Sequence, residues 1–150
     1  MNKSLYIVVF TLDEQQYALH LRTVERVIRA AEITSLPQVP EIILGVINME
    51  GRVIPVVNIR RRFNLLERDI HLNDEFIIAH TPTRHVALLV DAVINVMELK
   101  EEKTIKAEKI LPVMPYIDGV IKLEEGMILI NDLNRFLSLE EEQLLSNAMR

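Results

Sequence analysis

The chain has no cysteine and no tryptophan, only four glycines, and just seven aromatic residues among 150. Lack of cysteine excludes a disulfide framework and thiolate chemistry, and fits a reducing compartment. Four scattered glycines (Gly45, Gly51, Gly119 and Gly126) cannot form a glycine-rich phosphate loop before a helix. Positive charge is not in excess either. A formal net charge of −5 argues against nucleic acid as a partner, because phosphate binding needs a positive surface. Long apolar runs are missing too: Leu5 to Phe10 and Val86 to Val90 fall far short of the roughly 20 residues that span a bilayer. No signal-peptide pattern opens the chain. The expectation is a soluble cytoplasmic protein with no direct membrane insertion.

What is present is aliphatic. Apolar residues make up 49% of the chain, so a core poor in aromatics must be built from Val, Ile and Leu, and β-branched side chains favour strands. The length suits a single domain over residues 1–150. Leu5 to Leu12 and Tyr17 to Leu21 read as a hairpin around a polar turn. Val24, Val27 and Ile28 fall at spacings that predict one face of a short helix. Pro37 and Pro40 punctuate a loop. Two strands, Leu44 to Met49 and Val53 to Ile59, surround Gly51, and a charged turn, Arg60-Arg61-Arg62, follows.

Phe76 to His80 and His85 to Val90 form another hairpin. Val93 and Val96 continue it as strand or helix, and the pattern does not decide which. Residues 98–116, with Pro112 and Pro115, read as a long connection. Tyr116 to Leu123 and Met127 to Ile130 form a last hairpin. Ser138 and Glu141 make a capping box for a terminal helix over residues 139–149. Many short strands with turns every ten residues or so predict a barrel or sandwich.

The chain also resembles itself. Ile43 to Glu50 lies over Ile117 to Glu124 at a shift of 74, Ala18-Leu19 and Val24 over Ala87-Leu88 and Val93 at 69, and Tyr6 to Val8 over Phe76 to Ile78 at 70. Matches in one order at nearly one shift predict two related β modules, approximately 5–66 and 74–137. Units of that size bury little core alone and should pack as one folding unit, with a crease between them for a partner.

No catalytic constellation emerges. There is no G-x-S-x-G elbow. Of His20, His71, His80 and His85, only His80 and His85 could meet across a hairpin, and two histidines without further ligands are poor grounds for a metal site. Asp91 reads as a hairpin-end hydrogen bonder rather than a base. Arg52, Arg60, Arg61 and Arg62 lack the aromatic platform of a nucleic-acid patch and are expected to pair with nearby Glu. The terminal helix and the Val24, Val27, Ile28 stripe are read first as core-covering, with docking on a partner as the second reading.

The segment Gly45 to Phe63, G-V-I-N-M-E-G-R-V-I-P-V-V-N-I-R-R-R-F, resembles the hallmark of CheW-like domains, roughly G-V-x-N-x-R-G-x-x-x-P-V-x-D-L-R-x-x-F. Val86 to Val96, Tyr116 to Ile121 and the opening hairpin extend the likeness over nearly the whole chain. The resemblance implies an all-β fold of two intertwined five-stranded SH3-like barrels, with short helices and a C-terminal helix. It implies no catalysis and no cofactor. It also implies an adaptor that couples the cytoplasmic tip of chemoreceptors to the regulatory domain of a CheA-type histidine kinase.

Carried across, Val24, Val27 and the adjoining Ile28 match apolar partner-contact positions. Gly45, Asn48, Glu50 and Gly51 match the hallmark turn, and Gly119 the glycine of the second barrel. Two departures stand out. Glu50 replaces the family's Arg, and Asn58 its Asp. Loss of that Arg removes a bidentate donor, and Glu there would repel an acidic partner. Within the same fold, the alternative is an adaptor of another chemosensory pathway, for example surface motility. From another class, the alternative is a small-ligand-binding β-barrel.

Overall fold

The computed structural model describes residues 5–100, 104–106 and 116–149. In chain order the strands are β1 (Leu5–Leu12), β2 (Gln15–His20), β3 (Val24–Arg29), β4 (Ile43–Met49), β5 (Arg52–Val57), β6 (Glu75–His80) and β7 (His85–Val90). Then come β8 (Ala92–Leu99), β9 (Thr104–Lys106), β10 (Ile117–Lys122) and β11 (Met127–Asn131). Helix α1 (Ile59–Arg62) follows β5, and α2 (Leu139–Ala148) ends the described chain.

The strands form two sheets, of order β8-β1-β2-β11-β10-β9 and β3-β6-β7-β5-β4. In each, an antiparallel hairpin is flanked on one side by an antiparallel strand and on the other by a parallel one. β1–β2 lies between β8 and β11, while β6–β7 lies between β3 and β5. The hairpin that opens the chain is thus completed by late strands, and the middle hairpin by early ones. The sheets are intertwined by this exchange.

Side-chain alternation explains why the apolar runs are unbroken. Ile7, Val9, Ala18, Ile128 and Ile130 face a core belonging to the six-stranded sheet. Ile54, Val56, Phe76, Ile78 and Ala87 do the same for the five-stranded sheet. Their neighbours of opposite parity, Phe10, Leu12, Leu19, Val57, Ile77, Ala79, Leu88 and Val90, turn the other way into one central cluster. Successive strand residues point to opposite faces, so a strand buried on both faces must be apolar throughout. The scarce aromatics gather here. Phe10, Tyr17, Phe63 and Tyr116 stack at centroid spacings of 5.8, 4.9 and 5.0 Å, with Phe136 edge-on to Phe63 at 5.7 Å.

Three expectations need correction. Val24, Val27 and Ile28 lie on strand β3, not on a helix, and only Leu21–Thr23 before them forms a 3-10 turn. A bulge is the cause. Val24 pairs with Ala79 and Arg26 with Ile78, which leaves Glu25 extra and puts Val24 and Val27 on one face despite their odd separation. β8 repeats the device: Val93 pairs with Phe10 and Asn95 with Val9, with Ile94 between. Second, Arg60-Arg61-Arg62 is helical, because the Asn58 side chain accepts from Arg61 N and caps the turn. Third, the connection over 98–116 contains the end of β8 and strand β9. Pro112 and Pro115 lie outside the described residues.

The expected capping box is present: Ser138 Oγ accepts from Glu141 N, and Glu141 accepts from Ser138 N. Leu145 anchors α2 in the central cluster. Arg62 forms two bonds to Glu141, and Arg84 from the β6–β7 turn reaches Glu142 and Ser146. The helix therefore covers the domain's own core.

Arg60 is not a surface group. Its buried guanidinium donates to Asp13 at 2.9 Å, Asp91 at 2.6 Å and the Leu66 carbonyl at 3.1 Å. Arg68 joins it, donating to both Asp74 oxygens at 2.8 Å and to Asp91 at 2.6 Å. This network ties the β1–β2 turn, the α1–β6 loop and the β7–β8 junction. Burial pushes the Asp91 and Asp74 carboxyls up. Hydrogen bonds and charge from Arg60 and Arg68, with backbone N–H groups of Asp13 and His71, outweigh it and hold both below their ordinary values.

Two outcomes are expected. A carboxyl held low in the fold binds protons more readily when unfolded, so its contribution is complete above the unfolded value and disappears as pH falls through the folded one. Urea midpoints should therefore be flat near neutrality and drop only as the solution enters the carboxylate range. Replacing Arg60 by Met removes a partner from each of two carboxylates, Asp13 and Asp91. It should cost roughly 2–3 kcal/mol, less than a fully buried pair because Asp13 is half exposed and Arg68 still faces Asp91.

Candidate partner-binding site

The β4–β5 turn is two residues long, Glu50 and Gly51, with φ of +52° and +85°. Such left-handed pairs match the twist of flanking strands, and the Asn48 side chain locks the turn by accepting from Gly51 N at 3.0 Å. Strand β3 sits at the opposite end of the sheet order, yet its side chains reach this turn. Arg26 donates to Glu50 at 3.3 Å, and Arg52 donates to both Glu25 oxygens at 3.1 and 3.3 Å. Two crossed ion pairs thus span from β3 to the far hairpin, so the sheet curls until its ends meet. His85 stands beside them, its Nε2 3.7 Å from Glu25 and 3.4 Å from Arg52. Slight burial pushes the Glu25 carboxyl up, but hydrogen bonds and charge from Arg52, with the charges of His85 and Arg26, hold it lower.

The structure therefore brings Val24, Val27 and Ile28 into one neighbourhood with Asn48, Glu50 and Gly51. Val24 and Val27 are half-buried at the rim of the central cluster, as is Val93 of β8; Ile28 packs on the core of the five-stranded sheet. Gly45 serves the backbone. A Cβ there would sit 2.3 Å from the Thr34 carbonyl oxygen, because Thr34 and Val46 exchange hydrogen bonds across β4. Gly119 lies on β10 in the other sheet, apart from the rest, where an added Cβ would sit 3.1 Å from the Thr104 side chain on β9.

Sequence reasoning missed Glu25 and Arg26. The reversed charge at Glu50 was the available signal for them, and Arg26 supplies an opposite charge within this chain. It also missed two exposed apolar sets: Ile94 and Val96 on the edge strand β8, 50% and 52% exposed, and Leu44 and Val53 on β4 and β5, 37% and 57%. The His80 and His85 rings are 6.1 Å apart, and no group of three metal-ligating side chains occurs among the described residues. Asp91 is committed to Arg60, Arg68 and the backbone of Asp13. Among the described residues no helix is long and apolar enough to cross a membrane.

Comparison with known proteins agrees with this architecture. A crystal structure of the scaffolding protein TtCheW from Thermoanaerobacter tengcongensis superposes with a TM-score of 0.82 at 29% identity, covering 94% of this chain and 92% of that one. The chemotaxis protein CheW of Bacillus subtilis is 30% identical over 141 residues, 91% of this chain and 89% of its own length. That of Treponema pallidum is 22% identical over 152 aligned positions, covering 97% and 89%. The model of the CheW-like domain matches residues 6–141, and the chain belongs to that family.

Proposed function

We propose that the chain is a non-catalytic cytoplasmic adaptor that couples the cytoplasmic tip of chemoreceptors to the regulatory domain of a CheA-type histidine kinase. The observation that carries the reading is a CheW-like fold that leaves two sets of apolar side chains exposed or half-buried, one on strands β3 and β8 from the two sheets and one on β4 and β5 of the five-stranded sheet. One set is Val24, Val27, Val93, Ile94 and Val96, around strands β3 and β8. The other is Leu44 and Val53, on β4 and β5. Clustered exposed apolar side chains mark protein contacts more often than isolated ones do.

An adaptor acts by holding both partners together. Tethering raises the effective concentration of kinase at the receptor, so modest contacts on each surface suffice. The first set is assigned to the receptor tip and the second to the kinase. Asn48, Glu50, Gly51 and Gly45 shape the hairpin between the two sets, Ile28 supports β3 from beneath, and Gly119 lets β10 pack closely against the Thr104 side chain of β9. The repeat of strand order and of bulges supports a duplicated unit with halves near 5–66 and 74–137. Service in a different chemosensory pathway is the second reading, and Glu50 is the residue that favours it.

Reconstitution is the direct test. Receptor fragment, kinase and this chain together should raise kinase autophosphorylation above that of kinase with receptor alone; a chain that binds neither partner ends the proposal. Ile94→Asp with Val96→Asp, both half exposed, should abolish receptor binding and leave kinase binding intact.

The Glu50 pair gives a second test. Glu50→Arg places two like charges together on an exposed hairpin. It should change unfolding free energy by less than about 1 kcal/mol, because exposed pairs contribute little, while weakening partner binding several-fold. The double swap Arg26→Glu with Glu50→Arg should recover most of the binding. Failure of recovery would mean that a partner reads Glu50 directly.

A further inference from the structure

We infer that the cavity between the α1–β6 loop and the β4 edge is a socket for a long basic side chain, arginine or lysine, presented between apolar residues of a partner protein. The cavity measures about 370 Å³, and its walls include Ile33, Leu44, Ile70 and Leu89. Its floor is the Arg60 and Arg68 network, in which both guanidiniums are engaged: Arg60 by Asp13 and Asp91, Arg68 by Asp74 and Asp91. Neither cation is free to receive an anion.

The lining carries four carboxylates (Glu67, Asp69, Asp74 and Asp91) and two guanidiniums, a surplus of two negative charges. Glu67 accepts from Asn58 and lies 3.6 Å from Arg61. Among the described residues, the Asp69 carboxylate has no partner. Apolar walls under an unpaired acid select an aliphatic stem with a cationic end, the form in which lysine and arginine bury their methylenes while the head stays near water. An anionic group would meet Asp69. A purely apolar one would cover that carboxylate and leave it unpaired, which costs free energy.

The socket is also preformed. Arg68 ties its loop to Asp74, Asp91 and the Asp69 carbonyl, and Arg60 holds the Leu66 carbonyl. Little ordering remains to be done on binding. Leu66 and Leu72 project from the same loop, 87% and 92% exposed, ready for apolar residues flanking the basic one. Leu44 belongs to the surface assigned above to the kinase, so the inference rests on the adaptor reading and states what that partner must present.

The probe is the tripeptide acetyl-Leu-Arg-Leu-amide, titrated into the intact chain and followed by amide chemical shifts, with citrulline in place of Arg as the uncharged twin. The expected result is saturable shifts at Ile33, Leu44, Asp69, Ile70 and Leu89. The Arg peptide should bind about fivefold tighter than its twin, the scale of one exposed charge pair. Asp69→Asn should erase that advantage without moving the melting temperature. Equal binding of the two peptides, shifts elsewhere on the chain, or an Asp69→Asn protein that keeps the preference would overturn the inference. Neither receptor nor kinase enters this experiment, so it can fail while coupling stands.

Discussion

Two-sided burial governs this molecule. Each hairpin at the centre of a sheet, β1–β2 and β6–β7, turns one row of side chains into its own small core and the other into the shared central cluster. Neither sheet can present that second row to water without exposing a full face of Val, Leu and Phe. The sheets are therefore obligate partners, although each has a complete set of strands. The stack from Phe10 through Tyr17 and Phe63 to Tyr116 runs through that contact, joining β1 and β2 to the segment after α1 and to the start of β10. A protein with so few aromatic rings has placed most of them where its two halves meet, since large flat side chains bury the most area per residue.

Charge fixes what apolar packing leaves undetermined. Apolar contacts are non-directional, whereas Arg60 and Arg68 demand particular acceptors at particular angles. The carboxylates they recruit come from three chain segments far apart in sequence. At the other end of the five-stranded sheet the same principle works with weaker, exposed pairs: Glu25 with Arg52 and Arg26 with Glu50 stitch the first strand of the sheet to its last hairpin. Seen in this setting, Glu50 is less an oddity in a recognition turn than one half of a pair whose other half lies on β3.

Much of this was legible in the sequence. The strand-rich class, the hairpins, the capping box at Ser138 and the family resemblance all follow from local patterns, and the structure bears them out. The helical reading of Val24, Val27 and Ile28 failed for a physical reason: a bulge that inserts one residue makes a three-residue spacing lie on one strand face, and periodicity alone cannot separate that from a helix. The burial of Arg60 was hidden because its acceptors, Asp13 and Asp91, lie 47 and 31 residues away. The Glu50–Arg26 contact was likewise invisible, because β3 and β4 are not neighbours in the sheet order and meet only through curvature. The contacts that escaped join residues far apart in the chain, and the two local misreadings, at Val24 to Ile28 and at Arg60 to Arg62, turned on a bulge and a cap.

The exchange of hairpins has a consequence for how the chain is made. All five strands of the β3-to-β4 sheet fall within residues 24–90, so its strand partners are all synthesised before β8 begins, although its face towards the central cluster still awaits the other sheet. The first hairpin leaves the exit tunnel earliest yet finds its neighbours last, because β8 begins at residue 92 and β11 ends at 131. A solitary hairpin is at best marginally stable, and one apolar on both faces is a hazard until it is covered. The opening hairpin therefore stays without its β8 and β11 neighbours until residues up to 131 have been made.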